Sequence, residues 1–180
     1  MNQGIILSNP RFQITIKRLC QQLIENHNDF SDSVLIGLQP RGIYLAKRIH
    51  EELKKLLPKQ HIKLGNLDVT FFRDDFRHRE SPLLANTTSI DFIIENKKVI
   101  LIDDVLYTGR TIRAGLDAML AFGRPQKVEL LVLIDRRYTR QLPVEPDYTG
   151  IQVDSISSEK VRVQWKETEG EDQVILVQEN

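Results

Sequence analysis

The residues most able to do chemistry stand together in one stretch. Lys98-Val99-Ile100-Leu101-Ile102 is a short apolar run ending on two adjacent carboxylates, Asp103 and Asp104. After a brief turn the chain reads Thr108-Gly109-Arg110-Thr111 and enters a helical pattern. Gly109 permits close backbone approach, and the N–H groups of a turn that opens a helix favour a phosphate. Thr108 and Thr111 add hydroxyls, and Arg110 adds charge. Carboxylates beside a phosphate cradle repel the ligand unless they bind something else, such as sugar hydroxyls or a divalent cation. A ribose 5-phosphate satisfies both halves, with its phosphate in the cradle and its diol on the acids. Helix capping alone explains one aspartate and one threonine. It does not explain paired acids followed by Gly-Arg-Thr.

The elements that must position these residues alternate along the chain. Ser8-Asn9-Pro10 starts a helix, with capping side chains and a proline tolerated in the first turn. Phe12, Ile16, Leu19 and Leu23 continue it at helical spacing. Val34 to Leu38 reads as a strand buried on both faces. A helix follows from about Ile43, carrying Leu45, Ile49, Leu53 and Leu56, and Leu67 to Phe72 reads as a further strand. The run at 98–102 comes next. After it, a helix bears Ile112, Leu116, Met119 and Leu120 and closes at Gly123 and Pro125. Val128 to Ile134 is another apolar strand, ending on Asp135. This alternation indicates an α/β fold, a doubly wound and mostly parallel sheet flanked by helices. Beyond Arg140 come proline-broken loops and two alternating stretches, Lys160–Trp165 and Gln173–Val177. They predict a small C-terminal antiparallel cap, or hood. Ligands of such sheets bind outside the carboxyl ends of the strands, so the places to look are 39–42, 103–111 and 135–137.

Composition narrows the classes. The chain has 180 residues, 41% hydrophobic and 28% charged, with 25 Lys+Arg against 25 Asp+Glu. That length suits one domain burying roughly 70% of its unfolded surface. The predicted layout is a single domain over 1–180, with a core at about 10–139, a hood at about 140–180 and a flexible flap at about 73–90. A zero net charge gives no bulk attraction to polyanions, so nucleic acid would need a local patch. The lone Cys20 excludes an intrachain disulfide framework and a multi-cysteine zinc site, and the four histidines lack ligand-like spacing. No apolar run approaches the ~18–20 residues of a membrane span, and the first ten residues lack a signal peptide's order. A cytoplasmic location is expected. A nucleotide P-loop is disfavoured because the Gly-Lys-Ser/Thr ending is missing. A phospho-acceptor receiver domain would carry its acids near the N-terminus, without the cradle.

Asp103-Asp-Val-Leu-Tyr-Thr-Gly-Arg-Thr111 resembles the phosphoribosyl-diphosphate (PRPP) signature of type I phosphoribosyltransferases, in the form found in the PyrR family. PyrR proteins are pyrimidine-operon regulators that are also uracil phosphoribosyltransferases. Arg41-Gly-Ile-Tyr-Leu-Ala-Lys47, Arg73-Asp-Asp75, Gly123-Arg-Pro125, Asp135-Arg136, Leu142-Pro143 and Ser158-Glu-Lys-Val161 match in order, so the resemblance spans nearly the whole chain. It implies 5-phosphate binding by Val105, Leu106, Tyr107, Thr108, Gly109, Arg110 and Thr111. Asp103 and Asp104 then hold the ribose hydroxyls, act in catalysis and reach Mg²⁺ indirectly through ribose or water. Pro40-Arg41-Gly42 occupies the place of the pyrophosphate loop, where the family usually has threonine before the arginine. Arg73, Asp74 and Asp75 begin a charge-dense flap that includes Arg77, His78, Arg79, Glu80 and Pro82. Arg136 and the backbone near Val161 match uracil or UMP contacts.

The implied reaction is uracil plus PRPP giving UMP plus pyrophosphate through a loose, oxocarbenium-like transition state. A phosphoribosyltransferase for another nucleobase shares the same phosphate and ribose residues. The resemblance also implies homo-oligomers and RNA as a partner, the RNA through the first helix and the segment after Asp135. Lys17, Arg18 and Arg140 remain there. Gln21 stands where a histidine is common, Arg137-Tyr-Thr-Arg140 replaces Gly-His-Arg with one extra residue, and Glu145 and Gln152 replace cations. Each loss removes a phosphate partner, which counts against RNA binding.

Overall fold

The computed structural model of the protein describes residues 3–74, 85–155 and 158–178. A strand β1 (Gln3–Leu7) precedes the first helix, α1 (Asn9–His27). Ser8 stands at the N-cap and Pro10 in the first turn, as expected. The Ser8 side chain makes no capping bond, and its carbonyl instead accepts the Phe12 N–H at 2.8 Å. Then come β2 (Ser33–Leu38), α2 (Gly42–Leu56), β3 (Lys63–Leu67), β4 (Lys98–Leu106), α3 (Arg110–Met119) and β5 (Lys127–Arg137). The C-terminal part supplies β6 (Tyr148–Asp154), β7 (Glu159–Gln164), the short α4 (Lys166–Glu169) and β8 (Gln173–Gln178).

Five strands form a parallel sheet in the order β3-β2-β4-β5-β6. From β2 the chain winds outward to β3, and from β4 it winds the other way to β5 and β6. The reversal between β2 and β4 is the switch point at which such sheets open a crevice at their carboxyl ends. Alternation along β4 sorts its side chains. Ile100 and Ile102 join a core with Phe12, Leu19 and Leu45 on the side of α1 and α2, while Val99 and Leu101 join Ile112, Ala118 and Met119 on the side of α3. The apolar runs are thus buried on both faces, the pattern that marks central parallel strands.

Three expectations needed correction. Leu67 to Phe72 is not a strand. The strand lies earlier, at Lys63–Leu67, and the Asp68 carboxylate accepts from both the N–H and hydroxyl of Thr70, folding 70–72 into a single 3₁₀ turn. The tail is not all hood, because Tyr148–Asp154 adds a fifth parallel strand to the main sheet. The hood itself has three antiparallel strands in the order β1-β8-β7, its third strand supplied by the N-terminus. The two predicted hood stretches are β7 and β8.

Candidate functional site

The strand end that carries the two acids is longer than its apolar run suggests, since β4 continues through Leu106. Asp103 and Asp104 therefore sit within the strand, both buried and pointing to opposite sides by strand alternation. Asp103 lines a cavity of about 250 Å³ on the α3 side, shared with Arg73, Asp74 and the loop from 105 to 112. Asp104 lines a second cavity of about 390 Å³ under the hood, with Arg41, Lys160, Val161 and Glu169. The adjacent pair in the sequence thus serves two neighbouring spaces.

Gly42 packs the next helix against this strand end. A Cβ there would fall 2.5 Å from the Ile102 carbonyl and 2.9 Å from Asp103 Cα, so only glycine lets the start of α2 lie directly on β4. Gly109 stands at φ 91°, and a Cβ would press on Leu142 and Val144 at 3.3 and 3.4 Å. It turns the chain from β4 into α3, and Thr108 Oγ accepts the Arg110 N–H at 3.4 Å.

Burial and the adjacent charge of Asp104 push Asp103 well above the ordinary carboxylate range, against the N–H of Asp104 and the charge of Arg73. Burial also raises Asp104, and Arg41 partly offsets it. Arg41 Nε lies 3.3 Å from Asp104, and its Nη atoms reach Glu169 at 3.4 Å and the Val163 carbonyl. The predicted pyrophosphate arginine is therefore braced by the hood, while Pro40 beside it is exposed. Glu169, 128 residues away in sequence, had no local signal to announce it.

Arg110 is bonded to Asp74 and to Gln141 Oε1 (2.8 Å). Asp75 and the flap residues up to 84 lie outside the described residues. The returning segment is docked on β3: Asn66 and Ser89 exchange backbone bonds, and Thr88 Oγ accepts the Asp68 N–H. Arg136 is buried, donating to Ser155 Oγ and the Glu159 carbonyl at 2.8 Å each, with its guanidinium 4.1 Å from the centroid of the Tyr107 ring. This stack joins the β4–α3 loop to the start of β7, where Val161 lies; sequence spacing gave no sign of it.

The three cations expected to face RNA do not form one free patch. Lys17 is exposed. Arg18 donates to the carbonyls of Thr149 and Gly150 on β6. Arg140 turns inward, to the Tyr107 carbonyl (2.6 Å) and Asp135. Cys20 is buried with its thiol pushed up to about 12 by desolvation, so it is no nucleophile.

Among the described residues no three His, Cys, Asp or Glu side chains are arranged to hold a metal. The pair Asp103 and Asp104 fits the other mode, in which Mg²⁺ takes one or two carboxylates and completes its shell with water and substrate oxygens. Asp103, buried beside the like charge of Asp104, is the group such a cation would suit. Among the described residues no helix is long and apolar enough to cross a membrane.

Residues 2–168 match the phosphoribosyl transferase domain family. The bifunctional protein PyrR of Desulfosudis oleivorans is 40% identical over 171 residues, covering 95% of this chain and 94% of that protein. The PyrR of Elusimicrobium minutum is 42% identical over 178 residues, covering 99% and 98%. Among solved structures, the hypoxanthine phosphoribosyltransferase of Trypanosoma cruzi superposes with a TM-score of 0.72, covering 98% of this chain and 97% of its own, at 16% identity, a likeness of fold alone. A twin-cavity strand end on this sheet, matched over nearly its whole length to those relatives, makes the chain a member of the phosphoribosyltransferase family and, within it, of the PyrR proteins.

Proposed function

We propose that the chain transfers the phosphoribosyl group of PRPP to uracil, releasing pyrophosphate and forming UMP. The observation that carries this reading is the split pair at the end of β4. Asp103 borders the phosphate-loop cavity, and Asp104 borders the hood cavity with Arg41 and Val161. A sugar lying across the strand end has its 5-phosphate on the loop from 105 to 111 and its anomeric carbon towards the hood. Its diol then rests on the acids.

In this reading the loop N–H groups and Thr108 and Thr111 bind the phosphate, and Arg41 receives the diphosphate in exchange for its contacts with Glu169 and Asp104. Asp104 stabilises the positive charge that develops on the sugar, which is charge placement by a buried carboxylate. Asp103 and Asp104 would hold Mg²⁺ through water or ribose oxygens, and that ion, when bound, supplies charge neutralisation at the diphosphate. Arg136, held by Ser155, Glu159 and Tyr107, fixes one edge of the base site, and the backbone at Val161 supplies another. Uracil is chosen because PyrR proteins are the relatives, and a neutral pyrimidine needs a few placed hydrogen bonds rather than charge. RNA has no part in this proposal. Arg18 and Arg140 aim their guanidiniums at backbone carbonyls, and Glu145 and Gln152 share a surface hollow with Arg140.

The test is nucleotide formation from PRPP with uracil, hypoxanthine, guanine or orotate, for the wild type and for Asp104→Asn. UMP should form, with turnover lower by about 100-fold or more in the variant and the melting temperature little changed. Near-normal UMP formation by Asp104→Asn removes that residue from the mechanism. Product from a different base reassigns the specificity.

A further inference from the structure

Arg140 lies outside the phosphate loop, yet the segment it begins grips that loop from the side. The Gln141 and Leu142 N–H groups both donate to the Thr108 carbonyl, at 3.0 and 3.1 Å. Gln141 Oε1 receives Arg110 Nε at 2.8 Å. Arg140 itself spans two elements, one Nη donating to the Tyr107 carbonyl at 2.6 Å and the other to Asp135 at the end of β5. Its side chain is only 23% exposed, against 7% for Asp135, so the pair is largely shielded from water.

A reversal of the chain just before Arg140 brings its side chain back to the sheet. Tyr138, 82% exposed, takes a left-handed backbone (φ 67°) and so turns the chain back on itself. Thr139 Oγ then donates to the Arg136 carbonyl at 3.3 Å, and Arg140 returns towards the sheet. Arg137 is used elsewhere, in a two-point pair with Asp154 at 2.6 and 2.7 Å. Each cation of the segment thus has a structural partner.

We propose that Arg140 is a positioning residue for the phosphate loop, tying the Tyr107 carbonyl to Asp135 so that the N–H groups beyond it stay aimed at the 5-phosphate. A carbonyl held by a charge-assisted bond cannot rotate towards the ligand, and rotation of the 107–108 peptide would turn its N–H away. This rests on the phosphoribosyltransferase reading. It predicts that loss of Arg140 weakens every ligand bearing the 5-phosphate and leaves the free base untouched.

The experiment pairs steady-state kinetics with calorimetric titration of ribose 5-phosphate, for the wild type, Arg140→Met, Arg140→Lys and Asp135→Asn. In Arg140→Met the KM for PRPP and the Kd for ribose 5-phosphate should rise about tenfold or more, with the KM for uracil unchanged. Arg140→Lys, which can make one bond of the two, should recover part of the loss. Asp135→Asn should weaken ribose 5-phosphate in the same direction, and combining it with Arg140→Met should add little. Unchanged ribose 5-phosphate affinity in a folded Arg140→Met overturns the proposal. The same variant losing affinity for a pyrimidine leader RNA while keeping its KM for PRPP would instead assign Arg140 to nucleic acid. A wild type that neither binds ribose 5-phosphate nor makes nucleotide overturns the enzyme reading itself, and the positioning role with it.

Discussion

Asp103 is the residue at which the fold works against itself. Its carboxylate is buried 7% exposed beside Asp104, and both burial and that neighbour raise its pKa. A carboxyl whose folded pKa lies above its unfolded value of 3.8 lowers stability as pH rises above that point, because the folded state holds the proton more tightly. Asp103→Asn keeps the shape and removes the charge. We therefore expect the variant to melt higher than the wild type at pH 7, by roughly 2–4 °C. The gap should shrink as pH falls towards 4, where the wild-type carboxyl is increasingly protonated. Nucleotide formation should collapse in the same protein. Melting curves across pH 4–8 with a turnover assay check this. A variant less stable than the wild type at pH 7 would show that the Asp104 N–H and Arg73 already satisfy the charge.

The elements were more legible than their edges. The strands β2, β4 and β5 followed from their apolar runs, and the two-sided burial of β2 from its lack of any polar residue between Val34 and Leu38. β6 escaped because Thr149, Gly150 and Gln152 interrupt its apolar pattern. Gly150 is there because a Cβ would fall 2.3 Å from the Leu133 carbonyl, a demand of the neighbouring strand that its own sequence does not display. The third hood strand escaped because β1 finds its partner 170 residues later, pairing Ile5 with Ile175. The division of Asp103 from Asp104 was recoverable from period-two alternation, once β4 was carried past Ile102. Gly42 belongs to the same class of hidden constraint. Gly42→Ala places a methyl on the β4 backbone rather than on a yielding side chain, so α2 must lift. A loss of about 1–3 kcal/mol in urea unfolding is expected, as for other overpacked sites. Turnover should fall further than in a surface variant of equal stability, since Arg41 leads that helix.

Across the whole molecule, the proposed chemistry and a stabilising polar cluster occupy opposite ends of the parallel sheet. The carboxyl ends carry the loops and split acids, while the amino ends of β2, β5 and β6 close over a buried polar cluster. There His27 Nδ1 meets Ser33 Oγ at 2.7 Å and Nε2 meets Glu129 at 2.9 Å, and the Tyr148 hydroxyl donates to the same carboxylate at 2.7 Å. Lys127 Nζ completes it at 2.6 Å. Burial holds His27 below its ordinary 6.5, while burial of Glu129 is outweighed by Lys127, Tyr148 and His27, which hold it below 4.5. Both shifts are downward, so the unfolded chain binds more protons and stability is lost as pH falls, first below about 6.5 for His27 and then below about 4.5 for Glu129. Asp103 slopes the other way, so the cluster is best isolated by difference. The stability advantage of the wild type over His27→Gln should therefore shrink as pH falls from 6.5 to 5. Tyr148→Phe removes one donor to a buried carboxylate and one acceptor for Asn26, at a cost of about 1–2 kcal/mol. Because the cluster lies at the end of the sheet away from Asp104, kcat and both KM values for Tyr148→Phe should stay within about twofold of the wild type wherever the variant is folded. A fall in turnover without a fall in stability would mean that the two ends of the sheet communicate.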